Sequence, residues 1–508
     1  MEQRLRGVTE HIERVLGLVV PLPARPVDVA DALGEVVAED LYATVSVPPF
    51  DGAAMDGYAV RLTDLPPDGS PVTLRVTGDV AAGPGDPDPV GPGQAVRIMT
   101  GAPLPPGADA VVPVEHTSTG RFVAGAPRTE DSVTLTRRPR PHVRAAGEDV
   151  RRGELLARAG TEVTAALVGA LAASGTVRVP ARRRPLVAVI STGAELVPVG
   201  SVPGPGQITD SNGPMLAAAA RAAGADVVRL GPVPDDPAAL RAALDEAVGQ
   251  AVGGAVGAGA GGVGPDAGGV GPDAGGVGPD GGGVGPDGGG VGPDAGPREP
   301  GHPADLVVTA GGVSAGAADV VREVLGSGAW GADATDVDVA AVAMSPGRPQ
   351  ALARWRGVPW LALPGNPVGA YASFELFVRP AVDRLRGRPA EVGHSASTMS
   401  TRSNLPSTAV LPAAADWPGS PGRLLVVPVR VVRPPGTASA ALPGPAGHLT
   451  SPPPDAGADS TLLDAPGVVP LGSRHSLSAL ACADGLALVP PDVEKVRAGD
   501  PVEVLMLR

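Results

Sequence analysis

Short apolar runs alternate with helical segments through the middle of the chain, and this alternation limits the folds open to it. Pro185–Ser191, Ala225–Leu230 and Asp305–Ala310 each read as a buried strand of a few residues. The spacing predicts helices over Pro214–Ala223, Pro237–Val248, about Ala317–Leu325 and Ala370–Phe377. Asn212 or Ser211 stands near the first cap, and Asp236-Pro237 opens the second helix. Strands joined by helices give βαβ units and a parallel sheet, here over residues 183–388.

One stretch interrupts the alternation. The hexapeptide Gly-Gly-Val-Gly-Pro-Asp begins at Gly261, Gly268, Gly275, Gly282 and Gly289, and residues 249–303 hold 24 glycines and 8 prolines. One apolar side chain per repeat cannot offset the entropy of ordering so much glycine, so a disordered insertion in a surface loop is expected. A second loose stretch is expected at about 434–467.

Outside the α/β region the patterns change. Ile12, Val15, Leu16 and Val19 mark one face of a first helix, and residues 1–45 with 146–182 read as a helical and linker domain. Residues 46–145, with runs such as Val72–Val76 and Ala110–Val114, read as a β-rich domain. Residues 389–508 carry Leu424–Val432, Leu486–Val489 and Val502–Met506 and read as a small C-terminal β-barrel.

The formal charge of −14 argues against nucleic acid or an anionic membrane as partner. No run approaches the length of a membrane helix, and the start of the chain does not resemble a signal peptide. A single cysteine, Cys482, excludes an internal disulfide framework. A soluble cytoplasmic protein is expected. The seven histidines are scattered and read as surface residues. Lys495 is the only lysine, so an arginine can stand where a lysine would be expected.

In a parallel sheet ligands bind at the carboxyl ends of the strands, and the chemistry-bearing residues fall there. Ser191, Thr192, Gly193 and Glu195 follow one strand, Asp235 another, and Gly311, Gly312 and Ser314 a third, with Asp319 five residues beyond Ser314. The Gly-Gly turn presents backbone N–H groups to an anion. Carboxylates beside a phosphate suit Mg²⁺. Pro364-Gly365-Asn366-Pro367 forms a stiff loop, and Asp51 and Asp56 flank Met55 in a glycine-containing loop. Each motif alone is compatible with a tight turn or a helix cap.

Nine segments in order make the chain similar to the molybdopterin molybdenumtransferases, of the MoeA and gephyrin E-domain type. They are PPFDGAAMDGYAV (48–60), AVRIMTGAPLPPGADAVVPVE (95–115), AAGEDV (145–150), STGAEL (191–196), ITDSN (208–212), LGPVPDDP (230–237), TAGGVSAGAAD (309–319), PGRP (346–349) and LPGNPVGAYASF (363–374). The resemblance implies a four-domain, L-shaped protomer in an elongated homodimer. It implies Mg²⁺-dependent insertion of molybdate into adenylylated molybdopterin, with release of AMP. Asp56, Thr100, Glu195, Asp235 and Asp319 fall on the family's functional positions, with Glu195, Asp235 and Asp319 holding the metal. The segments expected to bind substrate contribute Ser191, Thr192, Gly193, Gly311, Gly312, Ser314, Arg348, Pro364, Gly365, Asn366 and Ser473. Asp56 and Thr100 are expected to close the partner's site. A molybdopterin adenylyltransferase and apo-molybdoenzymes are the implied protein partners. The chain departs from the family pattern at Ala341 and Ser345, where lysines are usual, and at Ala194, where an acid is usual. A catalytically impaired pterin-binding or scaffold relative is therefore the alternative.

Overall fold

The computed structural model describes residues 5–122, 129–137, 141–249, 303–313, 319–326, 333–388, 408–432, 466–472 and 475–507. The hexapeptide repeat and most of the second loose stretch lie outside these residues. The chain forms two compact units, Pro23–Arg183 and the remainder, Met1–Leu22 with Arg184–Arg508.

The larger unit is built on a six-stranded sheet. Its order is Asp226–Val233, Leu186–Thr192, Leu306–Ala310, Val358–Leu363, Pro349–Trp355 and Ala334–Ala341. The first four strands run parallel, as expected. Pro349–Trp355 pairs antiparallel with both its neighbours, so the sheet is mixed and not purely parallel. The cause is a hairpin at Arg356-Gly357, both with positive φ (48° and 87°), as a two-residue turn between twisted strands requires.

Alternate residues on each strand feed opposite cores. Val187 and Val189 pack with Leu216, Val308 and Phe374 on one face, while Ala188 and Ile190 pack with Leu240, Val307, Val321 and Trp360 on the other. The helices run Asn212–Ala222, Pro237–Ala247, Val320–Gly326 and Pro367–Ser373. The last starts three residues earlier than its apolar spacing suggests, because Asn366 caps it by accepting from Gly369 N–H at 3.1 Å. It then widens into one π-turn, Phe374–Val378, and resumes as Arg379–Leu385.

The first helix, Val8–Leu18, belongs to this unit and not with residues 146–182. Its apolar stripe matches the sheet's helical layer: Val15 and Val19 enter that core, and His11 meets Phe377 edge-on with ring centroids 4.7 Å apart. His11 is therefore fully buried and not a surface residue. Burial, reinforced by the nearby Arg6 charge, lowers its pKa to about 4.

The C-terminal residues form the expected barrel. Gly467–Pro470, Leu424–Val432, Gly485–Val489, Pro501–Met506 and Thr408–Pro412 pair in turn. A bridge between Ala413 and Val468 closes the ring around Val427, Val429, Ala487 and Val504. Met344–Ser345 pairs alongside Leu424–Leu425 and ties the barrel to the loop after the edge strand.

The smaller unit is mostly β. Ala110–Pro113, Gly57–Val60, Gln94–Ile98, Val72–Val80 and Ser132–Leu135 form a sheet over a core containing Tyr58, Leu74 and Val112. The residues read as a helical and linker domain form a three-stranded sheet, Arg25–Asp28, Arg178–Arg182 and Val36–Val37, with one helix, Ala165–Ala173, packed through Leu171.

Candidate functional site

Four parallel strands end at one place, and a cavity of about 610 Å³ opens there within the larger unit. Thr192, Gly193 and Glu195 follow the strand Leu186–Thr192, and Asp235 follows its neighbour. Gly311 and Gly312 follow the strand Leu306–Ala310, and Pro364, Gly365 and Asn366 follow Val358–Leu363. Asp319 and Arg348 also line it. Eleven positions expected from the sequence thus share one cavity.

The Gly311-Gly312 turn shows why the sequence is locally so restricted. Gly311 has φ +105° and Gly312 φ +62°. A Cβ on Gly311 would lie 2.3 Å from Thr192 O, so only glycine lets the two strand ends approach. Not every amide here is open to an anion, however. Gly311 N–H is committed to Leu363 O at 3.1 Å and Gly193 N–H to Val233 O at 3.0 Å, because these amides continue the hydrogen bonding between strands. Recognition of an anion therefore falls more heavily on side chains.

Ser191 does not line the cavity. Its hydroxyl is buried and donates to Asp210 Oδ2 at 2.7 Å, and Asp210 Oδ1 accepts from Gly213 N–H at 3.0 Å. This pair fixes the start of the helix Asn212–Ala222. Asn212 then donates through Nδ2 to Gly365 O at 2.8 Å, joining two walls. Asn212 Oδ1 and Thr192 Oγ1 are buried without a hydrogen-bond partner among the described residues. Both residues belong to the cavity lining, and a buried polar atom left unpaired costs about 1–3 kcal/mol.

Charges of both signs meet here. Glu195, Asp235 and Asp319 supply carboxylates, and Asp235 Oδ2 also accepts from Ala194 N–H at 3.1 Å. Among the described residues no group of three or more His, Cys, Asp or Glu side chains converges into a metal cage. Such a donor set still suits Mg²⁺, which takes one or two carboxylates and completes its shell with water and substrate phosphate. Arg348 supplies the expected cation, from the turn after Gly347. Arg423 and His475 also line the cavity, and the motifs did not reveal them. Both come from the C-terminal barrel, far from any strand-end motif in the sequence.

Asp56 and Thr100 lie in the smaller unit, both exposed. They are brought together there: Asp56 Oδ1 accepts from Thr100 N–H at 2.7 Å and from its hydroxyl at 2.8 Å. Ser314 and Ser473 lie outside the described residues.

Three family models match the chain in order. The MoeA N-terminal region (domain I and II) covers residues 6–175, the probable molybdopterin binding domain 188–275 and 299–384, and the MoeA C-terminal region (domain IV) 464–507. Molybdopterin molybdenumtransferase 2 of Mycobacterium tuberculosis is 34% identical over 507 residues, covering 98% of this chain and 99% of that one. The chain belongs to the molybdopterin molybdenumtransferase family. The relative of that name from Haemophilus influenzae is 30% identical over 373 residues, 73% of this chain and 75% of its own. Among solved structures, the molybdopterin biosynthesis MoeA protein of Pyrococcus horikoshii superposes with a TM-score of 0.66 at 26% identity, covering 99% of this chain and all of its own. The molybdopterin-binding match skips residues 276–298, which lie inside the hexapeptide repeat.

Proposed function

We propose that this protein inserts molybdate into adenylylated molybdopterin and releases AMP, the activity for which its curated relatives are named molybdopterin molybdenumtransferases. The observation that carries this reading is the cavity at the strand ends, whose lining combines Glu195, Asp235 and Asp319 with Arg348, Arg423 and the Gly311-Gly312 turn. Arg348 and Arg423 balance the charge of molybdate and of the phosphates. Thr192 offers a hydroxyl beside the turn. One or two of Glu195, Asp235 and Asp319 would hold Mg²⁺ against the substrate's phosphates. A metal ion held by these carboxylates would supply Lewis-acid stabilisation of the charge that develops on the departing AMP. Molybdate enters the dithiolene as the bond between the adenylyl and molybdopterin phosphates is hydrolysed.

In this reading the protein works as a cytoplasmic homodimer. Asp56 and Thr100, exposed and hydrogen-bonded to each other, complete the site of the partner subunit. Substrate arrives from a molybdopterin adenylyltransferase, and the product passes to apo-molybdoenzymes. Ala341 and Ser345 lack the charge that lysines carry at these positions in relatives, but Arg348 and Arg423 give the cavity two cations without them. The scaffold alternative rests on Ala341, Ser345 and Ala194 alone. Cofactor formation in a defined mixture of adenylylated molybdopterin, Mg²⁺ and molybdate tests the proposal. Arg348→Ala should raise the molybdate concentration needed for half-maximal activity about tenfold, the value of one hydrogen bond to a charged group.

A further inference from the structure

A buried polar network lies directly beneath the turn that carries Arg348. Gln350 is 1% exposed and Ser373 0%. Gln350 Nε2 donates to Gly347 O at 2.7 Å and is 2.7 Å from Ser373 Oγ. The carbonyl of Gly347 only accepts, so it fixes which end of the Gln350 amide faces the turn. Gly347 itself has φ +108°, and a Cβ there would lie 2.8 Å from Met344 Cε and 3.1 Å from Ser373 Oγ. The turn therefore has little room, and its conformation is one that a side chain would not tolerate.

The two ends of the network are informative. Gly347 and Arg348 belong to one wall of the cavity. Ser373 is the last residue of the helix Pro367–Ser373, whose capping residue Asn366 belongs to another wall. Beyond Arg348, Val342 N–H donates to Arg348 O at 2.7 Å and closes the loop. Gln350 thus ties the cationic turn to the helix packed against it, whose cap Asn366 also lines the cavity. An apolar side chain of the same length would fill the space, so packing alone does not require an amide here. A buried amide with two short bonds is costly to misplace and holds its neighbours in one arrangement.

We infer that Gln350, supported by Ser373, is a positioning residue that holds the Gly347-Arg348 turn so that the Arg348 guanidinium meets the oxyanion substrate. This rests on the proposed role of Arg348 and adds to it a determinant of oxyanion affinity that touches no substrate. Removing the donor frees the Gly347 carbonyl, the turn relaxes, and the arginine samples orientations away from the anion. Affinity for the anion then falls while the carboxylates that act on the adenylyl phosphate are undisturbed.

The test measures molybdate binding to purified full-length protein by titration calorimetry, and the molybdate dependence of cofactor formation, for Gln350→Met, Arg348→Ala and the double variant. Ser373→Ala is the milder companion if Gln350→Met folds poorly. Gln350→Met should weaken molybdate binding about tenfold and raise the half-maximal molybdate concentration to match, with kcat at saturating molybdate within about twofold. In the Arg348→Ala background it should add almost nothing, because the group it positions is gone. Ser373→Ala should weaken binding by a smaller factor in the same direction. Unchanged molybdate binding in both Gln350→Met and Ser373→Ala would overturn the inference, as would a Gln350→Met effect that persists undiminished without Arg348. Failure of the wild type to bind molybdate, or full binding by Arg348→Ala, would instead contradict the proposed role of Arg348.

Discussion

Gly311→Ala is the smallest change expected to disable the site, and its cost can be worked from the coordinates. The added Cβ would stand 2.3 Å from Thr192 O and 2.9 Å from Thr192 Oγ1. Restoring an ordinary carbon–oxygen contact needs a displacement of about 1 Å between the two strand ends, where van der Waals repulsion leaves no softer route. The φ of +105° adds about 1–3 kcal/mol of backbone strain for any side chain. The two terms together predict a destabilisation of about 2–4 kcal/mol. A shift of about 1 Å in a site of this kind typically lowers turnover about a hundredfold. Thermal unfolding and molybdate-dependent cofactor formation on the same preparation read both effects. Gly169→Ala is the control: it lies in the helix Ala165–Ala173, nothing stands within 4 Å of its Cβ position, and it should raise stability by about 0.5–1 kcal/mol with activity unchanged. A Gly311→Ala protein with wild-type turnover and melting temperature would refute the argument that this turn sets the geometry of the cavity.

Three further outcomes are expected. Deleting residues 250–300 should leave folding and activity intact, because loop-closure entropy changes only slowly with loop length; a fall of tens of degrees in melting temperature would contradict this. An Asp56→Ala chain mixed with a Glu195→Ala chain should regain activity in verified heterodimers, each of which carries one undamaged composite site; no recovery would place both residues in the same subunit's site or in none. His11 has its pKa lowered from 6.5 to about 4 by burial and the Arg6 charge, so the unfolded chain takes up the proton first as pH falls. The contribution is fully present above pH 6.5 and is lost as pH falls towards about 4, amounting to about 3 kcal/mol. His11→Leu should therefore flatten the drop in melting temperature between pH 6.5 and 4.5, and an equally steep drop in that variant would rule His11 out as its source.

The parts of this protein legible in its sequence are those encoded locally. Thr192, Glu195, Gly311, Gly312 and Asn366 each sit within a few residues of an apolar strand, and a parallel sheet brings such strand ends together without further information. The barrel strands are legible because they are short apolar runs rich in valine and leucine. Other features depend on distant pairing. Arg423 and His475 reach the cavity only because Met344–Ser345 pairs with Leu424–Leu425, a contact that no local pattern announces. The antiparallel hairpin over 349–363 has no counterpart in the strand–helix alternation read from the sequence, because its two strands join directly through the Arg356-Gly357 turn with no helix between them. The burial of His11 is not legible locally, because the π-turn carrying Phe377 that covers it lies more than 350 residues along the chain. Ser191 looked like a ligand for the substrate because a serine at a strand end is exposed in most such loops; here Asp210 turns it inward.

The most direct test of the central claim is molybdenum insertion by the purified wild-type protein. Adenylylated molybdopterin, Mg²⁺ and micromolar molybdate are supplied, AMP release is followed, and activation of an apo-molybdoenzyme is measured in parallel. The account predicts AMP release that depends on Mg²⁺ and molybdate, appears with active cofactor in equal amount, and is lost in Glu195→Gln. A wild-type protein that binds the adenylylated pterin yet yields neither AMP nor active cofactor at any molybdate concentration would contradict it.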